Sequence, residues 1–203
     1  MGEIGLFPLG IVLVPGEHAP LHIFEPRYKE LVGECLAQES PFGLVYADPD
    51  GMRRIGTEAL VAEVTERFDD GRINIVVTGR ERFSIEIFTE GRAFITAEVI
   101  PYLDEPDAVS DEILQGCLDA YERVAEAAGA EIEGIAPGPH GVAFGICDRI
   151  NLDPEIKQAL LEMRSENERL ESLRDVLERA AEVVTIQRTA QQRATGNGKV
   201  DSR

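Results

Sequence analysis

The sequence predicts an α+β protein, with a small barrel-like sheet holding one inserted helix in the first half and packed helices in the second. Two observations carry this reading. Up to about Leu103 the apolar residues fall in short β-type runs separated by Pro-Gly, Asp-Gly and Glu-Gly turn dipeptides, whereas after Pro101 they recur every three or four residues. With 203 residues and 43% hydrophobic content, the chain can bury a real core, in one large domain or two small ones.

Gly10–Val14 and Leu21–Phe24 read as two strands separated by the turn pair Pro15-Gly16. Pro26 then opens a helix, where its missing N–H is one of the orphan donors anyway, and Tyr28, Leu31, Val32, Cys35 and Leu36 follow at helical spacing. Phe42–Ala47 is a short apolar run, Asp48-Pro49-Asp50-Gly51 a turn, and Ile55–Phe68 alternates apolar with charged residues. Asp70-Gly71 signals a hairpin of the primed-turn kind, so Ile73–Val77 should pair back on the preceding strand. Phe83–Phe88 and Ala93–Val99 form a second hairpin around Glu90-Gly91.

Beyond Pro101 the elements are helices. Ser110 is a good N-cap, Asp111 and Glu112 suit the positive end of the dipole, and the apolar positions from Ile113 to Ala128 keep helical period until Gly129. Gly134–Gly141, with two prolines and three glycines, is a connector, and Val142–Ile150 resumes a helix. Asp153-Pro154 starts another through Met163, and Ser165-x-x-Glu168 is a capping box that restarts the chain as a helix. Leu170, Leu173, Leu177, Ala180 and Val184 form one narrow stripe, fit to pack on the helix from Ser110 or, alternatively, to pair with a second copy. The expected organisation is a β-rich subdomain over 1–105, a helical subdomain over 106–188 and a polar, disordered tail over 189–203.

The formal charge of −18 is spread over both halves, with 17 acids against 9 bases through Leu103 and 21 against 11 after it. Phosphate backbones and anionic lipid surfaces are bound mainly through Lys and Arg, so nucleic acid and membranes are poor partners. The N-terminus carries Glu3, has no basic segment, and is broken by Pro8, Gly10 and Pro15, which argues against a secretory signal. Three widely spaced cysteines, Cys35, Cys117 and Cys147, read as reduced and buried, and the expected compartment is the cytoplasm.

Catalytic and metal readings find little support. His18 and His22 have the spacing of two zinc ligands on a helix, but Pro20 lies between them, and in a strand such residues stand about 13 Å apart. A Cys147–His140 pair has no local nucleophile signature, and a Ser-Lys dyad would need Ser165 or Ser172 near Lys157. No phosphate loop of the form G-x-x-x-x-G-K-[ST] is present; Gly196-Asn197-Gly198-Lys199 lacks both spacing and hydroxyl.

The segment FPLGIVLVPGEHAPLHIFEPRY, Phe7–Tyr28, resembles the opening of the Lon protease N-terminal domain, also called the Lon substrate-binding domain. Phe42-Gly43-Leu44-Val45, Ile55-Gly56-Thr57, Asp70-Gly71-Arg72-Ile73 and Gly79-Arg80-Glu81-Arg82-Phe83 resemble that family's later landmarks in order, and Leu152–Leu173 is similar to its helical part. The resemblance spans about Leu6 to Val184. It implies a PUA-like pseudo-β-barrel followed by a C-terminal helical bundle, and a domain that stands alone without the ATPase and peptidase parts.

The function so implied is non-catalytic binding of unfolded or extended protein segments in protein quality control, with or without a separate protease. No cofactor or metal is expected, and the chain should be a monomer or weak homodimer. The candidate peptide-contacting residues are His22, Phe24, Glu25, Arg27, Tyr28, Arg80 and Arg82, since Tyr and Arg dominate binding hot spots. Each has a structural reading too: Glu25 and Arg27 as an ion pair at a helix start, His22 as a satisfied sheet-surface histidine, and Arg82 as a bridge between subdomains. The alternatives are a cryptic hydrolase and an RNA-binding PUA-like barrel, the latter disfavoured by charge.

Overall fold

The computed structural model describes residues 2–130, 134–135 and 140–196, with the backbone alone at 187 and 189–196. Seven strands and five helices follow in the order β1 (Gly2–Leu9), β2 (His18–Ile23), α1 (Pro26–Gln38), β3 (Phe42–Asp48), β4 (Gly51–Met52), β5 (Ile55–Arg67), β6 (Ile73–Thr89), β7 (Thr96–Pro101), α2 (Asp111–Ala128), α3 (Val142–Cys147), α4 (Pro154–Glu162) and α5 (Glu166–Gly196).

The strands form a ring that falls short of a barrel. Its path is β1-β7-β6-β5-β3, and a parallel pairing of β1 with β3 returns to the start. β1 divides its length between two neighbours: Gly2–Gly5 pair with β7, and Leu6–Leu9 pair with β3. β2 lies outside the ring, antiparallel to the first part of β6 from His18↔Thr78 to Ile23↔Ile73. The fold is therefore α+β, a PUA-like pseudo-barrel with α1 inserted and helices α2–α5 after it.

Alternation decides which side chains enter the core. Phe7, Leu21, Ile23, Phe42, Leu44, Ile75 and Val77 point inward and meet Tyr28, Leu31, Val32 and Cys35 from one face of α1. Phe7 stacks on Tyr28 with ring centroids 3.9 Å apart. Leu6, Val45, Phe83, Ile85, Ala97 and Val99 make a second apolar cluster around the other part of the ring.

Several boundaries differ from those expected. The first strand is Gly2–Leu9, not Gly10–Val14. Val12–Val14 are buried as loop residues, because Val14 N–H is taken by Glu17 Oε2 at 3.0 Å and the chain reverses at Pro15-Gly16 through a Glu17 N–H to Val14 O bond of 3.1 Å. Gly16, at φ +86°, supplies the backbone such a turn demands. Ile73–Val77 and Phe83–Phe88 belong to one 17-residue strand, since the sheet passes Gly79 by a bulge instead of stopping. The Asp70-Gly71 hairpin is a three-residue loop: Gly71 N–H donates to Phe68 O at 2.9 Å, and Gly71, at φ +81°, is the single left-handed residue. α3 stops at Cys147, short of the expected Ile150.

The chain forms two compact units, Met1–Glu105 with Pro137–Arg164, and Pro106–Ala136 with Ser165–Arg203. α3 and α4 group with the sheet in the first unit, and α2 and α5 make up the second. Side chains explain this: Gln158 Nε2 donates to Ile55 O at 3.1 Å, Lys157 pairs with Glu17, and Arg82 bonds the end of α4. In the second unit α2 and α5 run parallel and pack together, burying Leu170, Leu173 and Leu177 with Cys117, Ala120 and Tyr121. Ser110 N–H donates to Asn167 Oδ1 at 2.9 Å at one end, and Arg188 donates to the carbonyls of Glu126 and Ala127 at the other. The apolar stripe is thus used within the chain. Of the expected Ser165 box one bond is seen, Glu168 N–H donating to Ser165 Oγ at 3.3 Å, and that hydroxyl also bonds Asp107 Oδ2. The backbone of α5 is helical through Gly196, and the remainder of the expected tail, 197–203, lies outside the described residues, as does half of the Gly134–Gly141 connector, 136–139.

Candidate functional site

The last residues of β2, the first turn of α1 and the tip of the β5–β6 hairpin converge on one exposed surface. The register Ile23↔Ile73 is what brings them together, since it sets the end of β2 beside the residues that leave the hairpin loop. Phe24 is 58% exposed, unusual for a phenylalanine, and stacks on the His22 ring with centroids 5.8 Å apart. Phe68 meets the same imidazole edge-on at 6.0 Å, and the Arg72 guanidinium lies 4.9 Å from the Phe68 ring.

The orientation of His22 is fixed from below. Its Nδ1–H donates to Asn74 Oδ1 at 2.6 Å, and Asn74 Nδ2 donates to Glu66 Oε2 at 2.9 Å. Lys29, one turn into α1, donates to Asp70 O at 3.0 Å and ties the helix to the hairpin tip. Arg27 repeats the arrangement of Arg72. Each guanidinium pairs with a carboxylate two residues earlier, Glu25 at 2.8 Å and Asp70 at 2.7 Å, and each lies over a ring, Tyr28 at 4.6 Å for Arg27. The Arg72 backbone N–H, then its side chain, hold the Asp70 carboxyl below its ordinary range, while burial pushes the Tyr28 phenol up against the opposing effect of Arg27.

Of the residues singled out in the sequence, His22 and Phe24 belong to this ring cluster, while Glu25 and Arg27 pair with each other at the start of α1, with Tyr28 buried beneath Arg27. Arg80 and Arg82 do not join them. Arg80 is exposed further along β6, about 20 Å from Asn74 at the usual rise per residue. Arg82 is only 6% exposed and donates to the carbonyls of Leu161 and Met163, each at 2.7 Å, with Asp104 as its ionic partner. Sequence reasoning missed Phe68, Arg72, Asn74 and Lys29. The Asp70-Gly71 signal marked the hairpin of Phe68, Arg72 and Asn74, but only the pairing of β2 with β6 shows what its tip adjoins.

The surface offers apolar ring faces and paired cations, the equipment of a binding face. His18 and His22 stand on an extended strand with Pro20 between them, His22 already bonded to Asn74, and among the described residues no group of three or more His, Cys, Asp or Glu is placed to hold a metal ion. Cys35, Cys117 and Cys147 are buried thiols outside any disulfide among the described residues; burial pushes the Cys117 thiol up to about 12 and raises that of Cys35. Among the described residues no helix is long and apolar enough to cross a membrane.

The chain thus forms a pseudo-barrel domain with an inserted helix and trailing helices, and it presents an exposed aromatic-cationic face. Residues 3–179 match the model of the ATP-dependent protease La (LON) substrate-binding domain, and the chain belongs to that family. It is 28% identical to the Lon protease of Roseiflexus castenholzii over 92% of its own length and 25% of that protein's, and 26% identical to the Lon protease of Paraburkholderia phytofirmans over 95% and 26%. The chain thus spans about a quarter of these curated relatives. Among solved structures it is similar to the Lon N-terminal domain protein from Xanthomonas campestris, with 25% identity, a TM-score of 0.66, and coverage of 85% of this chain and 97% of that one. The N-terminal domain of Mycobacterium avium complex Lon protease shares the fold, at 20% identity and a TM-score of 0.66 over 87% of this chain and 98% of that one.

Proposed function

We propose that this chain binds unfolded or extended protein segments without catalysing a reaction on them, as a recognition module in cytoplasmic protein quality control. The observation that carries the reading is the exposed His22–Phe24–Phe68 ring cluster, with the Arg72 guanidinium stacked on Phe68. Exposed aromatic rings bury large apolar area against a client, and guanidinia stacked on rings add contacts to its carbonyls and carboxylates. Membership in a family described as a substrate-binding domain supports the assignment, as does a charge of −18 that repels nucleic acid.

The test is a titration with reduced, carboxymethylated α-lactalbumin, a soluble unfolded protein. Replacing both Phe24→Ala and Arg72→Glu should weaken binding about tenfold or more, as expected for hot-spot residues, with little change in thermal stability. Unchanged binding would remove the surface from the mechanism.

A further inference from the structure

Among the described residues, β1 pairs on one side only between Gly2 and Gly5, with β7; its other edge meets β3 only from Leu6 onward. The seam left open leads into a groove of about 700 Å³ whose apolar floor includes Leu31, Phe83 and Phe94. The edge is open at Gly2, where an added Cβ would meet nothing within 4 Å, and lies against the floor at Gly5, where it would meet Leu31 Cδ1 at 2.3 Å and Phe94 Cε2 at 2.9 Å.

Charge in this groove is unbalanced for a definite structural reason. The pairings Thr57↔Arg82 and Ala59↔Gly79 leave Glu58 alone opposite two residues, Arg80 and Glu81. The extra residue leaves Glu58 facing both, close enough that their charges act on it. Glu58 and Glu81 line the groove, yet neither forms an ion pair among the described residues. The cations that line it already have partners, Arg92 in Glu34 and Glu30 and Arg82 in Asp104 and the end of α4. Burial, then the charge of Glu81, raise the Glu58 carboxyl above its ordinary range, with Arg80 opposing.

We propose that the groove binds an extended segment of a partner polypeptide bearing a lysine or arginine between apolar residues. The segment's backbone adds to the free edge of β1, its apolar side chains rest on Leu31, Phe83 and Phe94, and its cation meets Glu58 and Glu81. Charge complementarity selects this occupant, because an acidic segment would add a third negative charge to two already opposed. This is a second site, independent of the ring cluster at the hairpin tip.

The experiment is an NMR titration of the full chain with nine-residue peptides of alternating valine and threonine carrying a central lysine, norleucine or glutamate. The lysine peptide should bind at least tenfold more tightly than the glutamate peptide, with amide shifts concentrated at Gly2–Gly5, Glu58 and Phe83. Glu58→Gln with Glu81→Gln should weaken the lysine peptide about tenfold and leave the norleucine peptide within twofold; Glu58→Gln alone, the milder change, should produce part of the same loss. Phe24→Ala with Arg72→Glu should leave all three affinities unchanged, which separates this site from the first. Equal affinity for the three peptides, shifts centred elsewhere, or indifference to both glutamine variants would overturn the proposal.

Discussion

Arg82, in the middle of β6, donates from Nη1 to the carbonyl of Leu161 at 2.7 Å, 79 residues further along the chain in the last turn of α4. The same nitrogen reaches Met163 O at 2.7 Å. These carbonyls belong to the negative end of a helix, where a guanidinium satisfies orphan acceptors and opposes the dipole together. Two rings, Tyr102 at 5.1 Å and Phe144 at 5.6 Å, wall the guanidinium.

Replacing Arg82 with methionine should therefore destabilise the fold by about 3 kcal/mol, since buried carbonyls lose a charged donor and Asp104 loses its partner. Arg82→Lys should cost less, keeping the charge but not the planar fork. Urea midpoints at constant m-value measure both. A loss below about 0.5 kcal/mol for the methionine variant would mean that the contacts are replaceable surface contacts.

Gly79 is the second position with no tolerance. A Cβ there would meet Val14 O at 2.2 Å, and main chain cannot move aside without breaking the bonds from Gly79 N–H to Glu17 O and from Gly16 N–H to Gly79 O, both 2.9 Å. Gly79→Ala should cost about 3 kcal/mol or more, at the upper end of overpacking penalties. Gly10→Ala, where a Cβ would touch nothing within 4 Å, should change the unfolding midpoint by less than about 0.5 kcal/mol equivalent.

The contrast between these glycines marks what could be read without coordinates. Local chemistry made α1 legible, through Pro26 and the Tyr28–Leu31–Val32–Cys35 face, and α2, through its acidic first turn and Gly129 at φ +69°. It did not reveal that Gly79 passes under the Val14 loop, because that approach joins residues 65 positions apart by number. Likewise Phe24 and Arg27 were visible as candidates, whereas Phe68 and Arg72 gained meaning only from the β2–β6 register. For Arg82 the sequence offered two readings, a peptide contact and a bridge to the helices; its bonds to the end of α4 match the second, and the charge alone did not show which helix end receives it.

The three cysteines should resist modification. Thiolate is the attacking form, and all three thiols are buried, with burial pushing Cys117 to about 12 and raising Cys35. At pH 8 the native protein should react with a disulfide-exchange reagent many times more slowly than the urea-unfolded chain, which should titrate three thiols. Fast labelling of Cys117 in the native protein would show that α2 and α5 separate readily.

Glu58 gives stability an unusual pH dependence. Its carboxyl is raised in the folded protein by burial and by Glu81, so the native state holds this proton more tightly than the unfolded chain, where the ordinary value is 4.5. Between that value and the raised one, the folded state binds more protons, and stability falls as pH rises; above the window the full cost of the buried charge is present. Glu58→Gln removes the titration. The variant should be more stable than the parent chain at pH 7, with the difference shrinking as pH is lowered and vanishing below about pH 4, where both states are protonated. Parallel urea titrations of the two proteins from pH 4 to 7.5 measure it. A variant that loses stability at pH 7 would show that Arg80 compensates Glu58 fully, and that the groove beside β1 carries no surplus negative charge.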